Sequence, residues 1–269
     1  MVPLPEAVQT FPGAVPDQGG EFTIPVDGLS LAAYAARPAA SAAGGARHSL
    51  LICHGFPSGD SQPGSDGSFH ELADRLANDT GWTVVTFSFR GTAASTGDFS
   101  LGGWLRDLQA AVEVTLAAPR VDSLWLCGFA AGGALAICAA GGDTRIRGVA
   151  SFSAPADFAD RASDARRFVA QARSAGLIKD RSFPGDLDAW ARELREIRPL
   201  DSIALIPPRP LLLVHGANDE VVNVLDARAL ADAAEERAEL KILPGAAHRL
   251  SHDPRAVALL LGWLDRQDH

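Results

Sequence analysis

The chain has 269 residues, 47% of them hydrophobic, and a formal net charge of −9 from 24 Lys and Arg against 33 Asp and Glu. That is enough apolar material for one large buried core, while the acidic balance argues against nucleic acid or an anionic membrane as the main partner. Three scattered cysteines (Cys53, Cys127, Cys138), each in an apolar run, exclude a disulfide framework and a zinc spacing and read as buried reduced thiols.

Residues 1–20 open with repeated prolines and read as a flexible arm, and residues 21–269 read as one domain. The start has no basic stretch followed by an apolar run, and no segment is long and apolar enough to span a bilayer, so a cytoplasmic location is expected. Residues 21–26 and 29–36 flank Asp27-Gly28, a turn dipeptide, and predict a hairpin. Residues 49–53 form a continuous apolar run, as in a strand buried on both faces. After a Gly/Ser/Asp-rich loop over 55–67, Ser68-x-x-Glu71 reads as a capping box opening a helix to about Asn78. Strands are predicted at 82–89, 124–127, 149–153, 211–214 and 239–243, and helices at 101–118, 131–140, 223–236 and 254–265. Asp253 would cap the last helix, with Pro254 at its first position. Alternating strands and helices imply an α/β fold with a mostly parallel sheet and helices on both faces. Residues 159–207 break the rhythm with helical pattern at 162–175 and 187–198, and read as a small helical lid insertion.

The segment of greatest chemical interest is Gly128-Phe129-Ala130-Ala131-Gly132. A buried strand runs directly into a helix there, with glycine two residues before and two after Ala130. Such a turn packs strand end and helix so closely that a side chain on either flank would clash, and it drives the central residue toward positive φ. Four further segments accompany it: His54-Gly55-Phe56-Pro57; Phe89-Arg90-Gly91-Thr92 with Ser95-Thr96-Gly97; His215-Gly216-Ala217-Asn218-Asp219; and Pro244-Gly245-Ala246-Ala247-His248. Over about residues 21–267 this set resembles the α/β-hydrolases. The resemblance implies a nucleophile elbow at residue 130, an acid at Asp219 and a histidine at His248, in the order nucleophile, acid, histidine that the fold uses. It also implies an oxyanion hole from the backbone N–H groups of Phe56 and Ala131. Arg198-Pro199-Leu200 resembles the esterase and peptidase branches that lack a large cap, which points to small or medium ester-like substrates and to no cofactor or metal.

The departure is Ala130 itself. The family has serine at the centre of the elbow, and a methyl group cannot attack a carbonyl. Cys127 lies in the strand facing the core, and Ser58 and Ser95 sit in other loops. Three accounts follow. One is a serine hydrolase whose serine was replaced by design. Another is a natural relative that lost it and binds a small molecule. The last is an enzyme using His248 and Asp219 as a base without covalent catalysis, such as a lyase, cyclase or cofactor-free oxygenase. Of the other candidates, His54 and His215 are read as structural, His70 and His252 as helix-surface or loop residues, and Arg90 as a loop brace more than a carboxylate ligand. The apolar side chains of the insertion (Phe168, Leu177, Ile178, Phe183, Trp190, Leu194) are read as packing first and as a substrate pocket second.

Overall fold

The computed structural model describes residues 13–38, 47–57, 67–119 and 121–267. Eight strands form one sheet: β1 (Gly20–Val26), β2 (Leu29–Ala36), β3 (His48–Cys53), β4 (Thr83–Phe87), β5 (Ser123–Phe129), β6 (Ile146–Phe152), β7 (Leu211–Gly216) and β8 (Glu239–Leu243). Their order across the sheet is β1-β2-β4-β3-β5-β6-β7-β8. The β1–β2 hairpin turns at Asp27-Gly28, both at positive φ, and β2 runs antiparallel to β4. From β4 to β8 every pairing is parallel.

The central strands β3, β4, β5 and β7 are buried almost throughout because helices cover both faces. One face packs Leu72 and Leu76 of α1 (Gly67–Thr80) and Leu260 and Trp263 of α9 (Pro254–Asp265) against the sheet. The opposite face packs α2 (Leu101–Leu116) and α3 (Ala131–Gly142), with Trp104 and Leu135 among its fully buried side chains. The run of alanine and glycine in α3 lets that helix lie close against β5 and β6. All parallel strands point the same way, so the loops after β3, β5, β6, β7 and β8 gather along one edge of the sheet, where such folds place ligands.

Between β6 and β7 the chain forms α4 (Ala159–Ser163), α5 (Ala165–Ser174), α6 (Leu187–Glu196) and α7 (Pro199–Ile203), followed after β7 by α8 (Val224–Ala233). The sequence predicted two helices here. The first is divided because Asp164 leaves the helical conformation and caps α5 by accepting the Arg167 N–H. The additional α7 starts at Pro199, which is suited to a first helical position, and packs on α3 and α8 in the main helical layer. The insertion is tied down: Trp190 Nε1 donates to Phe99 O at 3.1 Å, and the Gly102 N–H to Glu193 Oε2 at 3.0 Å.

Several boundaries differ from the sequence reading. α1 begins at Gly67, so Ser68 lies inside the helix and not at its cap. β4 is shorter than predicted, and β5, β6 and β7 are longer, because pairing with neighbours sets strand ends. α8 stops at Ala233, and Glu235 and Glu236 follow at φ 54° and 59°, values that cannot continue a right-handed helix. The expected arm lies outside the described residues up to residue 12. From Gly13 it is packed: Val15 is buried in the core, Arg37 donates to Pro16 O, and β1 starts at Gly20. Most of the predicted loop over 55–67 also lies outside the described residues.

Candidate active site

Ala130 stands between β5 and α3 at φ 50° and ψ −123°, in the left-handed half of backbone space. Its N–H donates to Phe152 O at 2.7 Å, and its carbonyl accepts from the Gly133 and Ala134 amides at 3.0 and 3.1 Å. The turn is fixed at both ends. A Cβ on Gly128 would meet Gly132 O at 2.4 Å, and one on Gly132 would meet His54 O at 2.3 Å. Only hydrogen fits at these two positions, as the sequence pattern requires. The methyl of Ala130 faces the loop after β3, where a Cβ added to Gly55 would lie 2.7 Å from it.

That loop is held by His54. Its Nε2 accepts from the Phe89 N–H at 3.1 Å, so its Nδ1 carries the proton and donates to Gly55 O at 2.7 Å. The structural reading of His54 is therefore correct. Phe56 follows, with its ring packed on Phe99, Trp104 and Phe168. Among the described residues neither the Phe56 nor the Ala131 N–H is bound to a backbone carbonyl. Ala131 is the first residue of α3, where the first four amides have no partner within the helix.

Asp219 and His248 come from loops after β7 and β8, 29 residues apart in sequence, and meet at 2.8 Å between Oδ2 and Nδ1. The Asp219 side chain is completely buried. Its Oδ1 accepts the Val221 and Val222 amides, both at 2.9 Å, so the turn-forming and histidine-orienting readings of this residue hold together. Burial alone would raise its pKa. Donors from His215, His248, Val222 and Val221 outweigh burial and hold the carboxyl far below the usual carboxylate range. With His248 Nδ1–H given to Asp219, Nε2 is the nitrogen left to accept a proton.

His215, read from the sequence as structural, has that role. It is fully buried at the end of β7, and its Nε2 donates to Val222 O at 3.0 Å while lying 3.4 Å from Asp219 Oδ2. It thus braces the whole Asp219 loop. Arg90, in contrast, is consumed by structure. Its guanidinium holds Asp107 through Nε and Nη2 at 2.9 and 2.7 Å, and Asp27 at 2.9 Å. The Ser95 hydroxyl bridges Ser88 O and the Ala32 N–H, and Cys127 is fully buried, so neither stands in for a nucleophile.

Ala130, Ala131, Phe56 and His248 line one cavity of about 540 Å³. Phe158 and Phe168, the latter on α5, contribute to its wall, and so does Asp226 of α8. Asp226 went unnoticed in the sequence because only the packing of α8 against the loop after β6 turns it inward. A second hollow of about 430 Å³ lies beside β1, β2 and β4 and contains neither Ala130 nor His248. Among the described residues, no group of three His, Cys, Asp or Glu side chains is placed to hold a metal ion, and no helix is long and apolar enough to cross a membrane.

A mostly parallel sheet with an elbow after a central strand, and an Asp–His pair on the loops after its last two strands, is the arrangement of an α/β-hydrolase. Residues 50–259 match the Alpha/beta hydrolase family, and the chain belongs to it. It is 28% identical over 169 residues to the uncharacterized protein YfhR of Escherichia coli K12, a match covering 62% of this chain and 53% of YfhR. The chain thus spans about half the length of the curated relatives it matches. Among solved structures it is similar to Est1E from Butyrivibrio proteoclasticus with ferulic acid bound (TM-score 0.67, 23% identity, covering 91% of this chain and 97% of that one). It is also similar to XC6422 from Xanthomonas campestris, described as an α/β serine hydrolase without lid (TM-score 0.63, 21% identity, 94% of each chain). An esterase domain from a Rhodothermus marinus protein is a third (TM-score 0.66, 22% identity, 93% of this chain and 97% of that one). At these identities the likeness establishes the fold.

Proposed function

We propose that this chain is a carboxylic-ester hydrolase in its architecture, with alanine at the position of the nucleophile. The observation that carries the reading is the backbone of Ala130, held at φ 50° at the head of α3 and in one cavity with His248, whose Nδ1 is bound to buried Asp219. The pair φ 50° and ψ −123° in a residue bearing a Cβ is backbone strain of the kind that clusters at active sites.

With serine at residue 130, the chemistry would be acyl transfer to water. His248 Nε2 takes the hydroxyl proton as the oxygen adds to the carbonyl carbon, and returns it to the leaving alcohol. Asp219 orients the ring and stabilises the imidazolium. The Phe56 and Ala131 N–H groups bind the oxyanion. Water then repeats the sequence on the acyl-enzyme. With Ala130 no acyl-enzyme forms, and the site keeps its ability to bind an ester-like small molecule. The reading is the same for a serine replaced by design and for a natural loss. The helical insertion over 159–207 is read as a small lid, and its Arg161 and Phe168 line the cavity. A cytoplasmic location belongs to the same reading and is supported by three free cysteines.

The test is Ala130→Ser. Hydrolysis of p-nitrophenyl butyrate is expected to rise by at least about 10³-fold, given the cost of deleting a triad nucleophile. A second reading, base catalysis without a covalent step, is favoured by the intact His248–Asp219 pair. It gains if the Ala130→Ser protein is inert while His248→Ala abolishes another activity of the alanine chain. Ligand binding unaffected by either change would favour a binding protein.

A further inference from the structure

The cavity shared by Ala130 and His248 is acidic. Three carboxylates line it, Asp157, Asp160 and Asp226, against the one guanidinium of Arg161. Asp157 and Asp160 are exposed at its mouth, whereas Asp226 is half-buried on the first turn of α8. The Asp226 carboxylate accepts one long hydrogen bond, from the Ala156 N–H at 3.3 Å, and forms no ion pair among the described residues. Burial, with the charges of Asp157 and Asp160 added to it, outweighs the Ala156 N–H and the pull of His215 and holds this carboxyl above its ordinary value. A half-buried carboxylate without a cation is costly, and a ligand cation beside it would offset that cost.

A different observation points the same way. Phe56 and Phe168 line the cavity with aromatic surface, and the Arg161 guanidinium already lies over the Phe168 ring, 5.1 Å from its centroid. Aromatic faces attract cations, most strongly where water is displaced. Asp226 and the two rings line the same cavity.

We propose that this cavity selects an ester substrate bearing a positively charged, ammonium-type group, held against Asp226 and the aromatic wall. This rests on the hydrolase reading of the site. The chain as it stands cannot turn an ester over, so binding is measured at equilibrium, by calorimetry at neutral pH and low salt. The probes are two pairs of esters. In one pair the alcohol half ends in trimethylammonium or in the neutral, equally shaped tert-butyl group; in the other the acyl half does.

In at least one pair the cationic ester is expected to bind about tenfold more tightly, the size of one half-buried ion pair with a cation–π contact. Added salt should narrow the gap. Asp226→Asn, whose amide oxygen still accepts the Ala156 N–H, should reduce it to about twofold or less, chiefly by weakening the cationic ester. Asp157→Asn, at the solvent-exposed mouth, is the second variant and should reduce it by a smaller factor. Equal or tighter binding of the neutral ester in both pairs, no binding of any ester, or a preference that survives Asp226→Asn overturns the proposal. If Ala130→Ser hydrolyses neutral esters and no cation preference is seen, only this inference fails. If Ala130→Ser is inert and the preference persists, the hydrolase reading fails and a cation-binding cavity remains.

Discussion

Ala130 holds a conformation that costs a residue with a Cβ about 1–3 kcal/mol, and the surroundings enforce it from both sides. Glycine tolerates that geometry. Ala130→Gly is therefore expected to stabilise the protein by about 1 kcal/mol after its larger unfolded-state entropy is counted, raising Tm by about 2–4 °C in a thermal scan. Asp219 carries the opposite kind of evidence. Its folded pKa is depressed, so the stability it contributes is present above the unfolded value of about 3.9 and is lost as pH falls through and below it. Asp219→Asn should cost about 2 kcal/mol at neutral pH in urea denaturation, with the gap to the parent closing below about pH 4. Position 130 could be singled out because glycines two residues before and two after it mark a tight strand-to-helix turn, whereas Asp219 and His248 were expected through the resemblance to α/β-hydrolases. The contact of His215 with the Asp219 loop was less legible. A histidine four residues before an aspartate across a turn has the right spacing, but only the folded loop brings Nε2 to Val222 O.

At the scale of elements, the strands and main helices could be read because continuous apolar runs and helical periodicity mark them. The insertion could be read only as helical. Where it divides depends on the capping of α5 by Asp164, and where it rests depends on contacts with α2 and α3 that no local pattern encodes. Arg90 belongs to this scale too, since it joins the loop after β4 to Asp107 of α2 and to Asp27 of the β1–β2 turn. Asp107 is completely buried, and burial raises its pKa against the opposing pull of Arg90. Arg90→Met would leave that carboxyl without its partner and should cost about 3–5 kcal/mol. Replacing Asp107 by Leu as well should recover much of the loss, because two apolar side chains leave no buried charge. Chemical denaturation of the two variants separates the cases.

For the whole molecule, a sheet whose strands β3 to β8 run parallel brings five separate loops to one edge, and the candidate site is built chiefly from what those loops carry. The sequence indicated this arrangement through chain order alone. It did not indicate the acidic lining of the cavity, because Asp157, Asp160 and Asp226 converge only when the loop after β6, α4 and α8 pack together. The central claim is that everything needed for acyl transfer is assembled around residue 130 except one hydroxyl. The most direct measurement is covalent labelling with an alkyl fluorophosphonate, located by peptide mass spectrometry. Ala130→Ser should take up one label per chain at residue 130, the double variant with His248→Ala should react far more slowly, and the alanine chain should take up none. A folded Ala130→Ser protein that stays unlabelled, or a label found at another residue in both forms, would contradict the account.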